Sequence, residues 1–536
     1  MAVVVRNLRL GLDQSEDVLT DLTAKRLKVP RGAIRDWHPV RRSLDARDRE
    51  DVHFVYHVEL TLDGGPGAER AALRRAGGRN VDMVKPQRRH DPMPGARLLP
   101  HRPTIVGFGP AGMFAALRLA EYGYQPIVLE RGRDVDRRGR DVREHFYGER
   151  RLDPESNLLF GEGGAGTYSD GKLYTRVSDA LMQTVMECLV RDGADRDILV
   201  DARPHLGSDK LPAICGNIRR RIESAGGEIR FESRLDDVEV DEGQVAAIRV
   251  NGERIEAGPV VLAVGHSARD TIRMVSARGV RLEAKPFQFG VRIEHRQEQV
   301  DRWQYGALAG HDRLPPAEYH LVAKEAAGTD GDLFSFCMCP GGHILPTNES
   351  PGLIATNGAS QSSRNGPFAN AGLVITLGPA TIGFDPLYGL DYLERWERLA
   401  FKSTNETYEV PAQRASDYLD RRESDGVLET TYPFGGQWRS IRYVVPRNVG
   451  DALDRGLRML DDRLPGFAGD DSIITAPETR ASSPVRIVRD NVTRQSPTCS
   501  RLYPCGEGAG YAGGIISAAV DGIKTADAII NEYAVP

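Results

Sequence analysis

Residues Thr104–Gly132, TIVGFGPAGMFAALRLAEYGYQPIVLERG, constrain the fold of this chain more than any other stretch. Thr104-Ile105-Val106 is a β-branched run that reads as a buried strand. It enters Gly107-Phe108-Gly109-Pro110-Ala111-Gly112, a G-x-G-x-x-G, and a helical stretch follows. A second strand, Gln125–Leu129, ends on Glu130. Gly107 permits the tight turn, Gly109 lets backbone approach a pyrophosphate, and Gly112 lets helix pack on strand. The helix N-terminus offers free N–H groups and a positive dipole end to phosphates. Glu130 stands where a carboxylate meets ribose hydroxyls, about 20 residues past the loop. The glycine spacing alone is a weak signal. With a strand before, a helix after and an acid closing the next strand, it predicts a dinucleotide-binding βαβ unit.

The remaining chain divides around this unit. A length of 536 residues allows more than one domain. Residues 1–95 read as a small α+β domain: strands at Val3–Leu10, Pro39–Leu44 and Val52–Leu62, and a helix at Ser15–Lys28 with Ser15 as N-cap. Gly64-Gly65-Pro66-Gly67 reads as a turn before a short helix, Glu69–Ala76. Lys and Arg outnumber Asp and Glu by 19 to 14 in residues 1–100, against a whole-chain net charge of −5. A basic surface facing an acidic neighbouring domain is the preferred account, and nucleic acid is not an expected partner. Four prolines at 92, 94, 100 and 103 mark a linker. Residues 100–274 and 471–536 are expected to form the nucleotide domain, and 275–470 a mixed α+β substrate or cap domain. The first sequence residues have no basic n-region or long apolar core, and no run of about 18 apolar residues exists, so neither a signal peptide nor a membrane span is expected. Six cysteines make no disulfide framework and show no metal spacing, so the cytoplasm is the expected compartment and no metal site is proposed.

Two later glycine segments matter. Gly161–Gly166 repeats G-x-G-x-x-G, but Thr-Tyr-Ser-Asp-Gly-Lys after it is not a helix opening. It reads as an irregular loop lying against a flat ligand. Gly506–Gly514 precedes a helix, Ile515–Ile530. A meander at Val238–Ala257 turns at Asn251-Gly252, and an apolar strand ends in Ala263-Val264-Gly265.

Together these motifs resemble the glutathione-reductase-type FAD flavoproteins. More closely, the chain resembles bacterial FAD-dependent dehydrogenases, NAD(P)/FAD-dependent oxidoreductases that carry a small N-terminal α+β domain. The stretches that carry the resemblance include PESNLLFGEGGAGTYSDGKLYTR at 154–176, VVLAVGHSARDT at 260–271, FSFCMCPGGH at 334–343 and GEGAGYAGGIISAAVDGIK at 506–524. The resemblance implies an α/β fold whose Rossmann-like FAD-binding domain is assembled from discontinuous segments. It implies that Gly107, Gly109, Pro110, Ala111 and Gly112 hold the pyrophosphate, Glu130 the adenosine ribose and Arg131 the adenine side. Val238 is expected to present backbone to the adenine edge, with Ala263 and Gly265 at a neighbouring strand end. Gly506 and Glu507 match the second FAD motif, where Glu replaces the usual Asp. Gly513, Gly514 and Ile515 are expected at the flavin N1–C2=O edge, and Gly161, Gly163, Gly164, Ala165, Gly166 and Thr167 along the isoalloxazine.

The implied reaction is hydride or electron-pair transfer through flavin N5 to or from a small organic substrate, such as a conjugated enone. A flavin monooxygenase and an RNA-modifying flavoprotein are the alternatives. No second complete strand–GxGxxG–helix unit occurs, so NAD(P)H is expected, if used, as a transient donor. Lys172, His343 and Tyr511 are the candidate proton donors, each beside a glycine-rich segment. Cys337-Met338-Cys339 reads as two buried thiols on one face of a strand.

Overall fold

The computed structural model describes residues 2–78, 80–84, 91–175, 178–328 and 331–536. Arg176, the last residue of the stretch 154–176, lies outside them, as do residues 85–90 near the end of the N-terminal segment.

The N-terminal layer is an antiparallel sheet in the order Ile34–Asp45, His53–Leu62, Ala2–Gly11, Val81–Val84, carrying helices Val18–Leu27 and Gly65–Ala76. Val3, Val5, Tyr56, Val58 and Leu60 form its core with Leu19, Leu27 and Ala72. Two local readings change. Gly65-Pro66-Gly67 is the first turn of the second helix rather than a loop. Proline costs nothing there, because that N–H has no partner inside a helix. Ser15 caps nothing, since the first helix begins at Val18. Its hydroxyl is bonded within a turn to Asp17.

The nucleotide domain is a five-stranded parallel sheet, ordered Leu502–Pro504, Val260–Leu262, Thr104–Val106, Ile127–Leu129, Glu228–Arg230. The last strand in sequence thus lies two places from the first. The C-terminal helix Ile515–Glu532 packs on the helix Pro110–Glu121 so closely that a Cβ on Gly522 would lie 2.1 Å from the Ala111 carbonyl oxygen. The meander forms a separate antiparallel sheet, and Asn251 and Gly252 turn it with φ of 49° and 83°. Positive φ at both turn positions is what an Asn-Gly hairpin supplies.

The third body is a seven-stranded sheet in the order Val322–Ala323, Leu333–Cys339, Phe368–Leu377, Phe287–Arg296, Ile473–Glu478, Val410–Arg414, Gly436–Trp438. The expected end of this domain at 470 falls just before one of its inner strands, because Ile473–Glu478 pairs with Phe287–Arg296. Leu282–Ala284 and Val485–Ile487 form a two-stranded link out of it. Phe287–Arg296 has the alternating pattern of a half-exposed strand, yet it is buried from Phe289 through His295. The hairpin His343–Pro346 and Thr356–Ala359 covers its polar side. There Arg292 is fully buried and bonded to Glu478, Asn370 and Asn357.

The basic excess of the N-terminal layer is partly spent on docking. Arg42 pairs with Asp197 at 3.0 Å and Asp201 at 2.8 Å in the nucleotide domain, and Arg49 donates to the Trp303 carbonyl of the third body. Among the described residues, no helix is long and apolar enough to cross a membrane.

Candidate active site

Three segments far apart in sequence meet at one groove. The turn Gly107–Gly112 sits at the C-terminal end of the parallel sheet, where open α/β sheets bind ligands. Gly107 has φ +95°, and a Cβ there would lie 2.5 Å from the Ala263 carbonyl oxygen of the next strand. A Cβ on Gly112 would lie 2.0 Å from the Gly107 carbonyl oxygen. These two glycines are therefore required by packing. Gly109 differs: a Cβ there would come no nearer than 3.8 Å to any atom. It faces open space, as backbone that admits a pyrophosphate must.

The second glycine loop lies across the first. A Cβ on Gly164 would touch the Gly109 Cα at 3.0 Å, and one on Gly166 would lie 3.2 Å from Pro110 and 3.9 Å from Ile515. Gly164, Ala165 and Gly166 are at least partly exposed on the groove. Gly161, Gly163 and Thr167 are buried beneath the loop. The Thr167 hydroxyl donates inward to the Glu162 carbonyl at 2.7 Å. Gly513 and Gly514 open the long C-terminal helix, are exposed, and have no atom within 4 Å of a built Cβ. The Gly513 N–H donates to Ser517 Oγ at 3.1 Å, and the first N–H groups of the helix itself have no intrahelical partner.

Glu130 is 4% exposed and accepts from the N–H groups of Phe108 at 2.8 Å, Gly132 at 3.0 Å and Gly161 at 2.9 Å. A carboxylate has about four acceptor positions. Glu130 is therefore first a clamp joining both glycine loops, with one position left for a ribose hydroxyl. Arg131 is pinned by Glu155 and Asp270 over the Phe160 ring. The Val238 N–H is taken by the Asp237 carboxylate, and Val238 pairs with Ile248 in the meander sheet. Ala263 is buried, with Gly265 partly exposed beyond it and open around its built Cβ.

At the far end, Gly506 and Gly508 fit between Ala111 and Gly265. Glu507 lies 3.4 Å from His266 Nδ1, and His266 Nε2 is buried with no hydrogen-bond partner. Asp521 of the C-terminal helix holds the Gly506 N–H at 2.8 Å and pairs with Arg489 and Arg494. Burial opposes its charge, but the two guanidinium groups outweigh that and bring its carboxyl down to about 2. Neither Asp521 nor His266 had a distinguishing spacing. An open backbone cradle, a free helix N-terminus and an orphaned imidazole nitrogen fit a bound FAD.

Past the second loop the chain reaches a polar cluster. Lys172 Nζ is 2.7 Å from Asp170 and 3.6 Å from Cys339 Sγ. His205 Nε2 is 3.4 Å from Asp170. Burial works against the Lys172 charge, but Cys337, Cys339 and Asp170 more than offset it and hold the ammonium above its ordinary range. Burial likewise opposes the Asp170 charge, and Lys172 with His205 keep it ionised. His343 enters this field from the covering hairpin, with burial lowering its pKa and Asp170 raising it in part. Cys337 has φ +48° at a β-bulge, which interrupts the simple two-residue alternation. Its thiol is pushed down to about 6, first by a hydrogen bond from the Cys339 thiol and then by Lys172 and Arg292. Cys339 is raised by its burial and by that bond.

Lys172 therefore lies against Cys339, and His343 is near enough to the cluster to feel the Asp170 charge. Tyr511 does not join them: its hydroxyl accepts from the Arg489 N–H at 3.1 Å, and its ring lies 3.8 Å from the Arg489 guanidinium. Arg133–Arg143 reads as a solvated face, but Arg138 is fully buried and donates to the carbonyls of Asn157 and Glu162. It fixes the second glycine loop from behind.

Residues 286–481 match the family model described as FAD-dependent protein, C-terminal domain-like, and residues 3–61 match a domain of unknown function. An uncharacterized protein of Clostridium beijerinckii is 40% identical over the full length of both chains. An FAD-dependent monooxygenase of Hypoxylon pulicicidum is 25% identical over 35% of this chain and 41% of its own. Among solved structures, glycine oxidase from Geobacillus kaustophilus matches 80% of this chain and 95% of its own at 12% identity and a TM-score of 0.36.

Proposed function

The chain belongs to the family of FAD-dependent proteins that share this C-terminal domain, and from that premise we propose that it is an oxidoreductase acting on a small organic substrate held between the glycine loops and the seven-stranded sheet. FAD is its cofactor, and when bound it supplies hydride or electron-pair transfer. The observation that carries the reading is the convergence of Gly109, Gly164–Gly166 and Ile515 on one groove, with Lys172 on the strand segment that leaves it.

The residues divide the work. Gly109 and the helix N-termini receive the phosphates. Gly513 and Gly514 leave the dipole end of the C-terminal helix free for negative charge on the reduced ring. Lys172 acts as a fixed positive charge rather than a proton donor, because a group held above its ordinary range releases its proton poorly near neutral pH. Asp170 and His205 orient it. His343, kept neutral by burial, is the group that can accept a proton from substrate. The dehydrogenase or reductase direction, the glutathione-reductase-type assignment, the cytoplasmic setting and NAD(P)H as a passing donor belong to the same proposal.

Anaerobic titration of the yellow protein with NADH and NADPH, followed at about 450 nm where flavins absorb, tests it. Bleaching by either nucleotide is the result expected of a reductase. A colourless protein that takes up no FAD would sink the reading. The partial identity to a monooxygenase favours oxygen as a second electron acceptor. Product that incorporates oxygen only in aerated samples would move the assignment there.

A further inference from the structure

A cavity of about 1440 Å³ lies between the N-terminal layer, the segment 201–205 and the seven-stranded body. It exceeds the ~300–1,000 Å³ of ordinary small-molecule sites. Seven arginines and five carboxylates line it. Most of these arginines are committed: Arg42 to Asp197 and Asp201, Arg203 to Glu318, Arg313 to the carbonyls of Leu12 and Gln14. Arg364 is not. No ion pair holds it among the described residues, its Nε is buried without a hydrogen-bond partner, and its backbone sits at φ +49°. His205 lines the same cavity with an 8% exposed side chain, and its Nε2 faces Asp170 at 3.4 Å. A buried guanidinium nitrogen without a partner is costly unless something anionic meets the group.

The other walls are apolar rings. The hydroxyls of Tyr56, Tyr305 and Tyr319 are bonded within the protein to Glu16, the Pro315 carbonyl and His295. The rings of these residues and of Trp303 supply flat apolar lining. His205 also ties the cavity to the groove. Its segment pairs by backbone with Lys172 and Leu173, and its side chain shares Asp170 with Lys172.

We propose that this cavity is an anion-binding chamber that adjoins the flavin groove through the His205 segment, and that it takes an organic anion: a carboxylate, or an equivalent oxyanion, on a flat apolar body, with the anionic end at Arg364. This rests on the flavoenzyme reading and gives the N-terminal layer a role, since Arg42–Asp45 of its second strand, with Ala46 and Arg47 after it, form one wall. The net positive lining draws the ligand in, and the rings hold its body.

The FAD-loaded full chain is titrated with 1-anilinonaphthalene-8-sulfonate, an aromatic oxyanion that fluoresces on binding, and with the neutral amine N-phenyl-1-naphthylamine. The sulfonate is expected to bind about tenfold more tightly than the amine, and Arg364→Gln to lose about tenfold in sulfonate affinity, the loss of one charge-assisted contact. Leu44→Trp, which fills the chamber without changing charge, is expected to weaken both ligands. Equal binding of the two ligands, or unchanged sulfonate affinity in both variants, overturns the chamber. Sulfonate binding is also expected to perturb the flavin absorbance. Binding without that perturbation overturns its link to the flavin groove. Flavin content is read beforehand, so absence of FAD counts against the function and not against the anion site.

Discussion

Gly107–Gly112 and Gly161–Gly166 share one spacing and do opposite jobs. The first joins a buried strand to a helix, and two of its glycines are there because neighbouring carbonyls leave no room. The second is a short 3-10 turn without a strand before it. Three of its glycines, 161, 163 and 164, adopt positive φ. It is held from outside, by Glu130 at Gly161 and Arg138 at the Glu162 carbonyl. The first loop owes its shape to its own strand and helix, the second to residues distant in the chain. Identical spacing therefore says nothing until the flanking elements are known.

This contrast can be broken at its strongest point first. Gly112→Val places side-chain carbon against the Gly107 carbonyl, and should destabilise the fold by about 3 kcal/mol or more, read as a large fall in Tm. Gly109→Val meets no protein atom that close, so it should keep the wild-type Tm and lose FAD affinity by about 100-fold, read by flavin retention on gel filtration. If both variants behave alike, the division between packing glycines and cofactor glycines fails. Glu130→Gln replaces an acceptor of three backbone N–H groups with one that also carries donors. A loss of about 2 kcal/mol, together with faster proteolysis within 157–170, is expected by chemical denaturation and limited digestion. Glu507→Ala should weaken FAD about tenfold and Cys337→Ser by less than about twofold, measured by fluorescence on flavin release.

The smallest effect concerns the thiols. Because the Cys337 pKa is depressed, its reactive thiolate persists to lower pH and is lost only as pH falls through about 6. Iodoacetamide labelling of Cys337, followed by mass spectrometry, should be near its plateau at pH 7 and should keep rising to pH 9 and beyond in Lys172→Met. A wild-type profile that still climbs steeply at pH 9 would show that the Lys172 field does not reach the sulfur.

Much of the fold is legible wherever one short segment carries all the information. Asn251-Gly252 specifies its hairpin because only residues tolerant of positive φ can make that turn. The βαβ unit is legible for the same local reason. The return of Ile473–Glu478 into the second sheet is not, because nothing in that segment distinguishes pairing with Phe287–Arg296 from pairing elsewhere. Burial of Arg138 and Arg292 also escapes local patterning, since arginine is ordinarily exposed and becomes buried only when carbonyls or carboxylates from other segments satisfy it. Lys172 and His343 could be singled out individually by their glycine-rich neighbours, but not the meeting of Lys172 with Cys339, Asp170 and His205.

By itself, then, the chain's sequence determined a βαβ unit of the kind that holds a dinucleotide: turn, helix dipole and strand end lie within one segment, and their chemistry is set by local geometry. Tertiary structure alone decided which glycines pack and which face the groove, that Glu130 clamps two loops, and that Arg364 and His205 look into a common cavity. Those facts depend on close approaches between residues tens to hundreds of positions apart. Such approaches are selected by the burial of the whole core rather than by any single stretch of it.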